Sequence, residues 1–264
     1  MIKHRLGSAV HANKGIEVAY RKTLVRLVGE MHKSFLFWIK VVYNKYPPKI
    51  QEVASHALDE TPPSKYAKKK IILLSQSWAE KFDFVANKIS DRYIGGIFSS
   101  SQESLKKSLQ GAGLEVKFKM TPVVRDTLNA SLEYNVGLIK TIPVEYHKRI
   151  EGIVMRAYSL GLTLEDMTKQ IQEVYPVTVA RAAFIARDQC NKANSVLNRA
   201  RLLEVGVEKA VWMHSHMGKR PRPDHVASNG KVYKVAQGCL ISGEYIQPGH
   251  LINCRCTARP IIPI

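Results

Sequence analysis

The sequence predicts a mainly α-helical chain that closes in a small α+β C-terminal module, a short β-rich knot rich in His and Cys. Three observations predict this. Up to Gly206, apolar residues recur at three-and-four spacing over long stretches. Beyond Gly206 the apolar runs become short and alternating, with Gly, Pro and Asn between them. From Trp212 onward, His and Cys crowd into a segment too small and polar to be held by apolar burial alone.

The elements follow in order. Ile16, Tyr20, Leu24, Leu27, Met31, Phe35, Trp38 and Val42 mark one amphipathic helix over 15–45, stopped by Pro47-Pro48. Residues 49–63 are polar, with Thr61-Pro-Pro63, and read as a loop or linker. A second helix fits 65–94, with an apolar face of Ile71, Ile72, Leu74, Trp78, Phe82, Phe84, Val85 and Ile89, ended by Gly95-Gly96. A short helix at 102–109 then gives way to Leu114-Glu-Val-Lys-Phe-Lys119, whose alternation predicts a brief strand or an extended arm. Thr121-Pro122 is an N-cap with Pro in the first turn, opening a helix to about Lys140. Pro143 starts the next, which stops near Gly161. Thr163-Leu-Glu-Asp166 is a variant capping box for a helix ending near Tyr175-Pro176. Thr178 opens a last long helix closed by Gly206 at C′. Short strands are expected at 209–214, 231–235 and 258–264. Three regions result: an N-terminal helical region over 1–120, a helical core over 121–206 and a β-rich module over 207–264. Trp38, Trp78 and Trp212 sit on apolar faces and are expected in the core.

Composition bounds the function. The chain has 264 residues, 45% hydrophobic and 23% charged, which is ordinary for a folded protein. Charge is the outlier. Forty Lys and Arg against 22 Asp and Glu give +18, the signature of a polyanionic neighbour, nucleic acid or an acidic protein surface. The surplus is spread along the chain; the densest short run is Lys68-Lys-Lys70. Cys190, Cys239, Cys254 and Cys256 are too few and too clustered for a disulfide scaffold. Met1-Ile-Lys-His-Arg5 lacks the apolar stretch of a secretory signal, and Phe35-Leu-Phe-Trp-Ile39 falls far short of a membrane span. The expected setting is the reducing cytosol.

The chemistry-bearing residues lie in the C-terminal module. His214, His216, His225, Cys239, His250, Cys254 and Cys256 are of the types that ligate zinc, which takes four nitrogen or thiolate ligands in a tetrahedron. Cys254 and Cys256 form the compact pair, with His225, Cys239 and His250 as its candidate partners. The alternative makes the cysteines small buried apolar residues and the histidines surface groups. A hydrolytic reading is also open: Asp224-His225, Asn229 and the distal His250 resemble the set of a compact metal-dependent nuclease, with His225 activating water. That chemistry calls for a helix presenting the ligand, whereas Asn229-Gly230 reads as a turn. Lys219-Arg-Pro-Arg222 is a stiff basic turn suited to phosphates or carboxylates, and Arg255 lies between the two cysteines. Arg181, Arg187 and Arg199 read as helix-surface pairing or partner contacts. No phosphate-binding Gly loop, dinucleotide fingerprint or nucleophile elbow occurs.

In this order the features resemble a known family. Lys140-Thr-Ile-Pro143, Arg181-Ala-Ala-Phe-Ile-Ala-Arg187, Gly206-Val-Glu-Lys-Ala-Val-Trp212, Arg222-Pro-Asp-His225, Asn229-Gly-Lys-Val-Tyr233 and Asn253-Cys-Arg-Cys256 resemble the phage head morphogenesis family, the minor head proteins typified by the F protein of phage Mu. Asn13-Lys-Gly-Ile-Glu-Val-Ala-Tyr20 through Met31-His-Lys-Ser34 resembles the opening of the same group, and the likeness is weakest over 46–120. The resemblance implies a non-enzymatic virion component, present in few copies, found in the head and in the host cytoplasm during assembly. It implies the portal protein, other capsid components and viral DNA as partners, and no membrane. The family pattern often carries Glu where this chain has His250, which leaves His225, Cys254 and Cys256 as the firmer ligand set and His250 as an addition. Zinc is the candidate cofactor. Lys219, Arg220, Arg222 and Arg255 are the candidate nucleic-acid or partner contacts, and no residue is assigned a catalytic role.

Overall fold

A computed structural model describes residues 4–48, 62–216 and 220–263. A first strand, β1 (His4–Leu6), is followed by four long helices: α1 (Lys14–Lys45), α2 (Pro63–Gly111), α3 (Pro122–Leu160) and α4 (Leu164–Glu204). The rest is short: β2 (Lys209–Met213), α5 (Pro223–Ala227), β3 (Val232–Lys234), β4 (Cys239–Ile241), β5 (Glu244–Ile246) and β6 (Thr257–Pro263). The expected architecture, long helices followed by a small β-rich region with His and Cys, is the one observed.

Local chemistry explains most helix ends. Asn13 caps α1, its Oδ1 accepting the backbone N–H groups of Gly15 and Ile16. Thr121 Oγ1 accepts the N–H of Val124 at the start of α3. Thr163 Oγ1 accepts the Asp166 N–H at 3.1 Å and so caps α4, while its hydroxyl donates to the Asp166 carboxylate at 2.7 Å, which takes that hydroxyl in place of the backbone N–H a capping box would use. α4 ends in a Schellman turn: Gly206 sits at φ 75°, its N–H bonds Leu203 O, and Val207 N–H bonds Leu202 O.

Three expected breaks are absent. α2 runs through Gly95-Gly96, α3 through Pro143 and α4 through Pro176. A helical Gly costs about 1 kcal/mol and a helical Pro about 3 kcal/mol. Burial of neighbours offsets these costs: Ile94 and Ile97 beside the glycines, Ile139, Ile142 and Tyr146 around Pro143, and Ile171 and Val174 before Pro176 are all buried. Gly96 also lets Ile16 approach, since a Cβ there would lie 3.5 Å from Ile16 Cδ1. Of the expected linker, 49–61 lie outside the described residues, and Pro63 already belongs to α2.

Two of the aromatic expectations fail. Trp38 is 38% exposed with Lys70 Nζ 3.4 Å above its ring, and Phe84 is 70% exposed. The buried positions of those turns are Ile39 and Phe82. Trp78 and Trp212 are buried as expected.

The chain divides into two compact units. One comprises Arg21–Lys88 and Val136–Ile185, and its described secondary structure is helical. Its core holds Leu24, Met31, Phe35, Ile71, Phe82, Tyr146, Ile150 and Ile171. Inside it His32 finds a polar partner: its Nδ1 lies 2.9 Å from the Tyr146 hydroxyl, and its ring stacks on Tyr175 at 4.6 Å. His147 stacks on Phe35 at 5.0 Å, and burial pushes its imidazole down to about 4.

The other unit comprises Met1–Tyr20, Ile89–Asn135 and Ala186–Ile264. Its antiparallel sheet has the order β1-β6-β2-β3, and β4 and β5 form a separate hairpin. Val10, Leu105, Leu109, Leu202, Val207, Trp212, Tyr233 and Ile262 form its apolar core. Leu114, Val116 and Phe118 pack against that core from an extended segment, so the alternation at 114–119 marks an arm rather than a strand. Arg201 pins the arm: it bonds the Lys119 carbonyl and Gln102, pairs with Glu204 at 2.7 Å, and lies over Phe98 and Phe118.

Candidate metal centre

The centre forms where three short segments meet at one end of the β2–β6 pair. Register places Trp212 beside Ala258 and Met213 beside Thr257, bringing the residues just before β6 to the end of β2. The Asn229-Gly230 turn brings the third segment: Gly230, at φ 86°, donates its N–H to Trp212 O, and Trp212 N–H bonds Lys231 O. Asn229 Oδ1 accepts the backbone N–H of His214 at 2.9 Å. The turn thus draws α5 against the end of β2.

α5 carries His225. Its start is written locally, with Arg222 as extended N-cap, Pro223 in the first turn and Asp224 beside the helix N-terminus. Asp224 Oδ1 accepts the N–H of His225 at 2.8 Å and Oδ2 accepts the Ser242 hydroxyl at 3.2 Å. Burial works against the charged Asp224 carboxylate, but these bonds and His225 outweigh it and hold the group below its usual range.

His225 is 2% exposed, and its Nδ1 lies 3.5 Å from Cys254 Sγ and 3.7 Å from Cys256 Sγ. The ligand atoms of these three buried residues all lie within 4.8 Å of one another, a group that could hold a metal ion. The His225 ring packs perpendicular to Trp212 at 5.1 Å, and its Nε2 has no hydrogen-bond partner among the described residues. Cys256 donates its S–H towards Cys254, and the backbone N–H groups of Cys256 and Gly249 add to this. Cys254 is therefore held well below the usual thiol range and Cys256 well above it.

α4 clasps the loop that bears the cysteines. Asp188, buried on α4, accepts the Asn253 N–H at 2.5 Å and pairs with Lys192 at 3.1 Å. Asn253 takes φ 60°, a conformation Asn tolerates, and its Oδ1 accepts Arg187 Nε at 3.2 Å. Ser195 donates to Pro248 O, and Gly249, at φ 81°, lies so close that a Cβ would stand 3.0 Å from Ser195 Cβ. Arg199 reaches the carbonyls of Val235 and Ala236. Arg187 and Arg199 therefore hold the module in place, while Arg181 pairs with Glu145 at 2.8 Å.

The other expected ligands fall elsewhere. His250 is exposed and borders a second cavity of about 770 Å³ with Tyr134, Lys192 and Leu203. A turn closed by the Cys254 N–H on Leu251 O, with Asn253 at φ 60°, separates His250 from the cysteines. Cys239 is buried in β4, where burial raises its thiol. Cys190 is buried on α4, its thiol pushed up to about 12 by burial. All four cysteines are free. Asn229, considered for the hydrolytic set, serves His214 instead.

A cleft of about 930 Å³ opens over the centre. It is lined by His225, Cys254 and Cys256, by the expected Arg220, Arg222 and Arg255, and by Arg187, which the sequence reading had not placed here. Arg222 donates to Ile252 O at 3.0 Å. Lys219 lies outside the described residues. No carboxylate and no Phe, Tyr or Trp lines the cleft among the described residues. Sequence reading also missed α5, although Arg-Pro-Asp-His is a legible helix start, and it missed Asp188, whose role depends on a partner 65 positions away.

Comparison with known proteins gives two matches. Residues 148–259 match the family described as Phage Mu protein F like protein, a span that holds His225, Cys254 and Cys256; the match supports the phage head morphogenesis family. An uncharacterized protein of Haemophilus influenzae is 33% identical over 156 residues, 59% of this chain. The matched stretch covers 34% of that relative's length. No solved structure matches the chain.

Proposed function

We propose that this chain, which carries a phage Mu F-like region over residues 148–259, is a minor head protein of a tailed bacteriophage that acts in head assembly at the portal vertex. The family match is the observation that carries this reading. The functional division is 1–120 for portal and capsid docking, 121–206 for the helical core and 207–264 for the β-rich module. Exposed Phe37 and Phe84 support docking by the first of these, since large exposed apolar groups favour partner surfaces. The setting is the virion head, and the host cytoplasm during assembly. No described helix is long and apolar enough to cross a membrane. The net charge of +18 and Arg220, Arg222 and Arg255 support contact with viral DNA. Co-sedimentation with the portal protein during assembly tests the role; a null mutant giving normal heads and full infectivity overturns it.

The same proposal makes the knot a zinc site held by His225, Cys254 and Cys256. Ordinary zinc–sulfur and zinc–nitrogen distances of about 2.3 and 2.0–2.1 Å, at a tetrahedral angle, put nitrogen and sulfur roughly 3.6 Å apart. The 3.5 and 3.7 Å separations here bracket that value, and one imidazole with two thiolates is a donor set zinc favours. Elemental analysis of wild type beside Cys254→Ser/Cys256→Ser tests this, with near-stoichiometric zinc expected only in the wild type.

A hydrolytic second reading draws support from α5, which presents His225 on a helix beside an open cleft. It predicts metal-stimulated nucleic-acid cleavage lost in His225→Ala. Purified protein inert across divalent ions ends it.

A further inference from the structure

We propose that a phosphate group enters the arginine-lined cleft and supplies the fourth ligand of the His225–Cys254–Cys256 centre; this rests on the zinc reading of that centre. A tetrahedral ion held by three side chains keeps one position, and a site of that kind exchanges its fourth ligand. Among the described residues the converging ligand atoms are those of His225, Cys254 and Cys256. His214 lines the cleft, but its Nδ1 accepts the backbone N–H of His216 at 3.1 Å. A neutral imidazole has one lone-pair nitrogen, so the other nitrogen of His214 carries the proton and donates rather than ligates. Cys239 is in the hairpin core, and His250 faces another cavity.

The charge of the surroundings selects the incoming group. Two thiolates cancel the charge of a divalent ion, so the centre itself is near neutral. Arg187, Arg220, Arg222 and Arg255 then give the cleft its sign, with no carboxylate among the described lining residues. Guanidinium forks match tetrahedral oxyanions, which accept several parallel N–H bonds. Two of them are pre-aimed: Arg222 by Ile252 O at 3.0 Å, and Arg187 by Asn253 Oδ1 at 3.2 Å, next to Cys254 in the chain. Arg255 stands between the two cysteines in sequence, so ordering the knot also orders this guanidinium. At about 930 Å³ the cleft exceeds a free phosphate ion and admits a phosphorylated molecule. No Phe, Tyr or Trp lines it among the described residues, and the guanidiniums match a phosphoryl group.

The test uses the full chain loaded with cobalt(II), whose visible bands report its ligand set, titrated with inorganic phosphate. A saturable spectral change is expected, with apparent affinity about tenfold weaker in Arg220→Gln/Arg255→Gln at unchanged cobalt content. The charge-matched Arg21→Gln/Lys22→Gln, in the helical unit, should stay within about twofold. Cobalt bound with a spectrum indifferent to phosphate overturns the proposal and leaves the metal site standing. A chain that takes up no cobalt removes both. Oligothymidine with and without a 5′-phosphate separates the sources: a change with both assigns a nucleic-acid backbone, and a change with the phosphorylated form alone assigns a terminal phosphate.

Discussion

Around Phe35 and Tyr146, side chains meet as apolar and aromatic surfaces on long helices, and each position is one of many that exclude water together. Around His225, the elements are three to seven residues long and the contacts are single hydrogen bonds, tight turns and the three facing ligand atoms. The first kind of stability is distributed, so it tolerates a helical proline or an exposed Trp38. The second is concentrated, so a few atoms decide whether the segment has a structure at all. The comparison can be broken, or made sharper, by asking which region each perturbation reaches.

The largest effect is expected from Cys254→Ser/Cys256→Ser or from chelation. On the proposed zinc reading, where structural zinc contributes roughly 10–16 kcal/mol in small modules, a loss above about 5 kcal/mol is expected for the segment from β2 to β6. Hydrogen exchange should show protection collapsing at Ala210, Trp212 and Tyr233 while amides near Phe35 and Tyr146 keep theirs. Equal loss in both regions would erase the contrast. Phe35→Ala should do the opposite, costing about 3–5 kcal/mol in denaturant unfolding with metal content unchanged.

Asp188→Ala should cost about 2–3 kcal/mol, because it removes a charge-assisted acceptor from Asn253 N–H and leaves the Lys192 ammonium without its partner. Unlike Phe35→Ala, it should also weaken metal affinity, which competition with a chelating dye would read. An unchanged affinity would mean that the cysteine loop keeps its shape without α4.

The smallest effect is a pH dependence of the helical unit. Burial holds His147 at about 4 and also lowers His32, so the folded state favours neutral imidazoles. The unfolded chain binds the proton near 6.5. Stability is therefore full above about pH 6.5 and falls as pH drops towards 4, by on the order of 2 kcal/mol for His147. Urea midpoints at pH 7 and 4.5 measure this, and His147→Phe should flatten the slope.

Much of the fold was legible because its signals are local. A helix face repeats within seven residues, and caps such as Thr163–Asp166 and Gly206 act on N–H and C=O groups a few positions away. Breaks at Gly95-Gly96, Pro143 and Pro176 were misread for the same reason: the local penalty is real, but burial of Ile97, Ile142 and Ile171 outweighs it. His225, Cys254 and Cys256 were legible as ligand types, whereas Arg187 gave no signal of its place beside them.

Residue chemistry and short-range periodicity, then, determined that this chain would be long helices ending in a basic knot rich in His and Cys. Tertiary structure decided which of those groups meet. His225 reaches cysteines 29 and 31 positions away because sheet register, the Asn229-Gly230 turn and the grip of Asp188 on Asn253 converge there. His250, only four residues before Cys254, is turned to another cavity. Sequence separation measures the chain, whereas a metal or an anion responds only to distance in space.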